Sequence, residues 1–347
     1  MSRAIRIGIV GAGLMGHWHA HAARHANAKI VAIADLDIDR ARRLASRYNA
    51  SAHATAGDLM DRADISLLHI CAPTDAHLPI AMMAIDRNLH LLIEKPLSAS
   101  QPETLTILQK AKSAQRLVCP SHQYAFQRSV NKTINQLKRA GEVITVDLKF
   151  CTAGGAGFDP SSFPLLAADI LPHPLSILQR IFPSKQISKS EWRLASSRNG
   201  DWEISTQIDS TRIRITLSLL ARPTVASLIV AGTKGSFEAD LFHDYVVWSG
   251  GEVTRSTKIL QPFTRSLAHL WFASQNLAFR AVSSEPAYPG LNTLTSKFYE
   301  ACNTGAEAPI TEQQMIDISA MRDRFLQAAQ SGGDILESVN FSQGASS

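Results

Sequence analysis

Residues 5–16 read Ile5-Arg6-Ile7-Gly8-Ile9-Val10-Gly11-Ala12-Gly13-Leu14-Met15-Gly16, a short apolar run that passes directly into G-x-G-x-x-G. The run predicts a strand over Ile5–Val10, and the spacing of apolar residues beyond it predicts a helix over Leu14–Ala26. The glycines between them have separate physical uses. Gly11 permits a tight turn, Gly13 lets the backbone approach a pyrophosphate, and Gly16 lets the helix lie close to the sheet. The helix start at Leu14 and Met15 then offers free N–H groups and a positive dipole end to phosphate oxygens. The next strand, Lys29–Ala34, ends at Asp35, 24 positions after Gly11. A carboxylate there accepts hydrogen bonds from ribose hydroxyls and repels a 2′-phosphate, so NAD is expected in preference to NADP. Leu36 follows, where an NADP site favours small polar residues and arginine; Arg40 leaves some room for the phosphate. The plainer alternative for Asp35 is a helix cap, a part that Asp37 or Asp39 could also play.

Working outward, the strand–helix rhythm continues to about residue 121. Strands at Ser66–Cys71, His90–Ile93 and Leu117–Pro120 alternate with helices near Ile38–Tyr48, Leu78–Arg87 and Pro102–Ala114, the last with Ser100 as its cap. Continuous apolar strands separated by helices predict a parallel sheet covered on both faces. After Gly141 the period shortens to two: Arg212-Ile213-Arg214-Ile215-Thr216-Leu217-Ser218-Leu219 alternates polar with apolar, the mark of a sheet with one covered face. Further strands are expected at Thr224–Ala231, Ser236–Asp240 and Tyr245–Trp248, and helices at Ser266–Val282, Leu291–Asn303 and Thr311–Gln330. The expected fold class is α/β, an N-terminal Rossmann doubly wound parallel sheet plus a C-terminal α+β domain on a largely antiparallel open sheet. The corresponding bounds are 1–121 for an NAD-binding domain, 122–335 for substrate binding and oligomerisation, and 336–347 for a flexible Gly- and Ser-rich tail.

Composition narrows the class. The chain has 347 residues, 45% hydrophobic and 19% charged, enough for two domains with cores of their own. No run reaches the ~18 apolar residues of a membrane span. The start, Met1 to Arg6, faintly imitates a secretion signal, but the glycines that follow fit a phosphate-binding turn better. Four cysteines, Cys71, Cys119, Cys151 and Cys302, form no C-x-x-C pair, which points to a reducing cytoplasm. A net charge of +5 without a basic stripe argues against nucleic-acid binding. His17, His21 and His25 are spaced four apart, yet no carboxylate or cysteine completes a metal set, so no metal is expected.

Four further features recur in order: Pro73 and His77 after the third predicted strand, Glu94-Lys95-Pro96 after the fourth, Asp169 and His173 four apart, and Gly232-Thr233-Lys234-Gly235 between two strands. With Gly11, Gly13, Gly16 and His19 ahead of them, the chain resembles the glucose-fructose oxidoreductase/inositol dehydrogenase family, Gfo/Idh/MocA, over roughly residues 3 to 325. The resemblance implies oxidation of a ring hydroxyl of a sugar or cyclitol, or the reverse reduction, with NAD or NADP. It implies that Lys95 reaches the reacting oxygen, that Asp169 and His173 face the substrate, and that a homodimer or homotetramer forms. The chemistry is consistent with those roles. Removing hydride from a carbinol carbon requires its hydroxyl proton to leave, so a base must be placed there. His173 can shuttle that proton near neutrality; Lys95 can stabilise the alkoxide or, if desolvated, act as base; Asp169 can orient either. Glu94 at its strand's carboxyl end is expected beside the nicotinamide ribose, with Pro73 and His77 also on the cofactor side, and Pro96 fixes a turn.

The chain also departs from the family pattern. Leu171 stands in place of a glycine and Ser176 in place of a second aspartate, and Pro172 and Pro174 flank His173. Because proline breaks a helix interior, the helix is expected to start near His173 with Pro174 in its first turn. Ala125 occupies the position of a family arginine, so His122, Gln123 and Tyr124 are candidates for lining the substrate pocket. The segment Gly154–Phe158 reads either as a loop closing over the ligand or as a plain connection. The leading expectation is an NAD-dependent dehydrogenase acting on a secondary hydroxyl of a sugar, cyclitol or similar polar ring. The alternatives are a redox-neutral enzyme that cleaves or epimerises through transient oxidation, and a non-catalytic nucleotide sensor.

Overall fold

The structure, a computed structural model, describes residues 4–252, 254–283, 285, 287–333 and 335–336. The chain forms β1 (Arg6–Val10), α1 (Leu14–His25), β2 (Lys29–Ala34), α2 (Ile38–Ser46), β3 (Ser51–His53), α3 (Ala56–Arg62), β4 (Leu67–Ile70), α4 (His77–Asp86), β5 (His90–Ile93), α5 (Gln101–Ser113) and β6 (Val118–Pro120). These six strands pair in the order β3-β2-β1-β4-β5-β6, every pair parallel. Order reverses between β1 and β4, which opens a crevice outside the carboxyl ends of the strands. The strands are buried because both faces are covered: Ile7, Ile9, Ile33, Leu67, Leu68, Leu91 and Leu92 are wholly inaccessible. Ser100 caps α5 by accepting from the Glu103 N–H, and Pro102 sits in the first turn, as the sequence predicts.

The remaining elements are α6 (Arg128–Asn135), β7 (Val143–Cys151), α7 (Phe163–Ile170), α8 (Pro172–Ile181), β8 (Trp192–Arg198), β9 (Asp201–Ile208), β10 (Thr211–Ser218), β11 (Val225–Gly232), β12 (Gly235–Asp240), β13 (Tyr245–Gly250), α9 (Arg255–Val282), α10 (Leu291–Thr304), α11 (Glu312–Ser331) and β14 (Ile335–Leu336). Their sheet runs β13-β12-β11-β7-β10-β9-β8-β14. It is antiparallel except for β10 against β7. Alternation along β10 buries Ile213, Ile215 and Leu217 and exposes Arg212 and Arg214.

The chain divides into two compact units, residues 1–126 with 287–319, and 127–286 with 320–347. The sequence placed the division at 121/122 and kept 122–335 together. Residues 287–319 instead group with the first unit because Leu294, Phe298, Tyr299, Ile310 and Met315 complete the apolar core of the parallel sheet. The short β3 and α3, and the polar strands β8 and β9, carry too little periodic apolar signal to be read in advance. Of the tail expected from 336 onward, Leu336 is paired with Trp192 in β14, and residues 337–347 lie outside the described ones.

Candidate active site

Four chain segments emerge from the carboxyl ends of β1, β4, β5 and β6, all in the first unit. After β1, Gly11 adopts φ +96°, and a Cβ there would collide with the Cys71 carbonyl. A Cβ on Gly16 would run into the Gly11 carbonyl oxygen, so only glycine lets α1 start this close to the turn. Gly13 is different: a Cβ built there meets nothing within 4 Å. It is the N-cap of α1 and supplies no side-chain cap, so the first-turn N–H groups face open space above it. That bare helix start suits an anion such as a pyrophosphate. Asp35, at the end of β2, accepts from the Ala12 N–H through Oδ2 at 2.7 Å and from the Asp37 N–H through Oδ1 at 2.8 Å. The cap of α2 is Asp37, which accepts from the Asp39 and Arg40 N–H groups. Asp35 therefore ties its strand end to the glycine turn. The residues present fit a dinucleotide: a donor-rich turn for its phosphates and a carboxylate at the following strand end for its ribose.

After β5, Glu94 is 6% exposed and the Lys95–Pro96 peptide is cis. Glu94 Oε1 accepts from Ser121 Oγ at 2.7 Å and bonds His19 Nε2 at 2.8 Å, while Oε2 accepts from the Lys95 N–H at 3.1 Å. Burial pushes this carboxyl up, but His19, Ser121 and Lys95 together outweigh burial and leave it below the usual glutamate value. Glu94 is thus held as a fixed anion beside a half-buried Lys95. His122, after β6, is buried and its Nδ1 has no partner among the described residues; nor has Gln123 Oε1. Burial drives the His122 imidazole down to about 3, against the pull of Glu94 and with the help of Lys95, so the ring is neutral in ordinary buffers. Tyr124 follows in the same short turn, half-buried.

His77 is held at both ring nitrogens by backbone carbonyls. Its Nδ1 lies 3.0 Å from the Pro96 carbonyl and its Nε2 2.9 Å from the Ala72 carbonyl. The ring thereby ties the loop after β4 to the Glu94-Lys95-Pro96 turn. Pro73 stands between them as the N-cap of a single 3₁₀ turn, Thr74–Ala76. Among the described residues no three His, Cys, Asp or Glu side chains group as metal ligands.

Asp169 and His173 lie in the second unit. Leu171 keeps right-handed helical angles between α7 and α8, and its N–H still bonds the Ala167 carbonyl. Pro172 and Pro174 fall in the first turn of α8, where a missing N–H costs nothing, as the sequence predicts. Asp169 Oδ1 accepts from Arg322 Nη2 of α11 at 2.9 Å. The His173 ring, 8% exposed, stacks on Phe150 at 6.2 Å, and its carbonyl accepts from Ser176 Oγ. Ser176, at the family's second aspartate position, thus serves the helix backbone. Within Gly154–Phe158, Gly155 packs on Leu219 and Phe163 while Phe158 is exposed.

Sequence reasoning missed Arg322, Ser121, His69 and Tyr299. His69 lies inside β4, 2.9 Å from His19 Nδ1 through its own Nδ1 and 2.7 Å from Tyr299 Oη through Nε2. A histidine in an otherwise apolar central strand was the available signal.

Residues 5–122 match the family described as "Oxidoreductase family, NAD-binding Rossmann fold" under the name GFO_IDH_MocA. Inositol 2-dehydrogenase 4 of Saccharopolyspora erythraea is 31% identical over 141 residues, 40% of this chain and 41% of that protein. A dTDP-3,4-didehydro-2,6-dideoxy-alpha-D-glucose 3-reductase of Streptomyces antibioticus is 27% identical over 186 residues, 48% of this chain and 56% of that one. The chain thus spans about half the length of the curated relatives it matches. An oxidoreductase of Agrobacterium radiobacter, solved with NAD+, L-tartaric acid and magnesium, superimposes with a TM-score of 0.73. It covers 95% of this chain and 97% of its own at 14% identity, which is a likeness of fold.

Proposed function

We propose that this chain, whose residues 5–122 match the GFO_IDH_MocA family of NAD-binding oxidoreductases, is a member of it and moves a hydride between nicotinamide and a secondary hydroxyl or ketone of a sugar, cyclitol or similar polar ring. The observation that carries the proposal is Glu94-Lys95-Pro96 at the carboxyl end of β5, with Glu94 pinned by three donors and Lys95 half-buried beside neutral His122. Gly11, Gly13, Leu14, Met15 and Gly16 would hold the pyrophosphate and Asp35 the adenosine ribose, with Pro73, His77 and Glu94 shaping the nicotinamide side. Bound there, NAD supplies the two-electron exchange. Asp35 disfavours a 2′-phosphate, so NADP is the weaker ligand.

Lys95 is the residue to hold the substrate oxygen: its ammonium stabilises an alkoxide. His122, Gln123 and Tyr124 bind the substrate hydroxyls. Buried polar atoms at His122 Nδ1 and Gln123 Oε1 without a described partner support this assignment, since such atoms call for a ligand or water. His173 is assigned proton transfer and Asp169, oriented by Arg322, its support. The four cysteines are unpaired thiols, which supports a cytoplasmic setting. Association into a homodimer or homotetramer completes the proposal. It is supported by α9, whose Phe263, Leu267, Leu270 and Trp271 are each more than 60% exposed along one helix.

The test is NAD reduction across a panel of sugars and cyclitols by the wild type and Lys95→Ala. NADH formed with at least one polyol, and lost in the variant, is expected. Product formed with no net NADH, or equal rates in both proteins, would overturn the reading.

A further inference from the structure

The first unit contains a chain of buried polar side chains longer than cofactor binding needs. Ser121 and His19 both meet Glu94 Oε1; His19 Nδ1 meets His69 Nδ1 at 2.9 Å; His69 Nε2 meets Tyr299 Oη at 2.7 Å. His19 and His69 are wholly inaccessible and Tyr299 is 4% exposed. The chain links α1, the middle of β4, the end of β5 and α10, at a point where the sheet is otherwise apolar.

Donor counting fixes which way the protons point. Ionised Glu94 only accepts, so His19 Nε2 carries a proton and donates. A neutral His19 then accepts at Nδ1, which requires the proton of His69 to sit on Nδ1. His69 Nε2 is left as acceptor for the Tyr299 hydroxyl. Every group in this arrangement is satisfied. The reverse arrangement, with His19 a cation donating at Nδ1, makes His69 donate at Nε2 and leaves the Tyr299 proton with no described acceptor. The bonds therefore run in one direction, Tyr299 to His69 to His19 to Glu94, and each donor polarises the next.

We propose that His69 and Tyr299 are positioning residues for turnover: acting through His19, they hold the Glu94 carboxylate at one angle and so fix the Lys95 backbone N–H that it accepts. The inference rests on the hydride-transfer reading for its consequence, but not for its proton arrangement. Burial keeps the His69 imidazole well below its ordinary value, so the relay passes orientation without itself charging. The other titratable groups acting on Glu94 or felt from it are Lys95, His122, Cys71 and Tyr288.

Two measurements on the full chain test this. Nitrogen-15 histidine spectra at neutral pH should show neutral His19 as the Nε2–H tautomer and neutral His69 as the Nδ1–H tautomer. In Tyr299→Phe, which keeps the ring's packing, His69 should lose its single tautomer. In that variant kcat, at saturating NAD and polyol, should fall about tenfold; His69→Gln, which restores an acceptor at the Nε2 position but no donor to His19, should fall as far. A cationic His19, or His69 protonated at Nε2, overturns the proposal. So do the expected tautomers combined with an unchanged kcat in both variants. A wild type that turns over no polyol would instead defeat the hydride reading, and the tautomers would still decide the proton arrangement.

Discussion

Each unit buries a carboxylate under three donors, yet the two end up on opposite sides of their ordinary values. Glu94 takes bonds from Ser121, His19 and the Lys95 N–H. Asp244 takes them from the Ser129 N–H and Oγ and the Arg128 N–H. Burial pushes both up; at Asp244 it prevails over the Ser129 and Arg128 bonds and the Arg128 charge, whereas at Glu94 the His19 and Ser121 bonds and the Lys95 charge together reverse it. Counting hydrogen bonds therefore does not identify a functional carboxylate. Nor does a charged neighbour, since Asp244 has Arg128 as Glu94 has Lys95; the sign is set by how far bonds and charges together offset burial. Asp244 receives the first N–H groups of α6 and is a structural cap supplied from far along the chain.

Acid should separate the two units most strongly. His69 and His122 have folded values below their unfolded ones, so below about pH 6.5 the unfolded state binds more protons and stability falls as pH falls. Glu94, also depressed, adds its loss below 4.5. Asp244 has the opposite sign: its folded value is raised, so lowering pH relieves its cost. The two histidines together give a slope of about 3 kcal/mol per pH unit between pH 6.5 and the histidines' folded values. Hydrogen exchange between pH 7 and 5 should show β4–β6 losing protection while β10–β11 hold theirs; parallel losses would erase the distinction.

The glycine turn sharpens the comparison next. Gly16→Val forces a side chain into the Gly11 carbonyl and should cost about 3 kcal/mol or more, read from the denaturant midpoint. Gly13→Val, with open space around it, meets no clash; replacing a glycine cap should cost about 1 kcal/mol, less than Gly16→Val, and cofactor binding should weaken. Lys95→Ala should lower kcat by about 100-fold, equivalent to ~2.7 kcal/mol, without altering unfolding. In the second unit, Asp169→Ala removes the 2.9 Å partner of the buried Arg322 guanidinium, which keeps Asp323 at 3.8 Å. Asp169 is a third exposed, so the cost should be about 2 kcal/mol, seen in thermal unfolding.

Legibility followed sequence distance. Gly11 to Gly16, Asp35 and Glu94-Lys95-Pro96 could be read because a parallel sheet brings its functional residues to strand ends, each within a local motif. The fold class followed from the switch of apolar period after Gly141. Arg322 could not be read: its partner Asp169 is 153 residues away, and α11 looks like any amphipathic helix. Tyr299 is 230 residues from His69, and only the packing of α10 into the first core joins them. The carbonyls that enclose the His77 ring could not be read either, because its spacing from Pro73 says nothing of them.

The account rests most on the first unit taking NAD at the bare N-terminus of α1. Calorimetric titration of the full chain with NAD+, beside Gly13→Val, tests it directly. The account predicts saturable one-to-one binding to the wild type, weaker binding of NADP+, and no heat from the variant. Equal binding by both proteins, or none by the wild type, would contradict it.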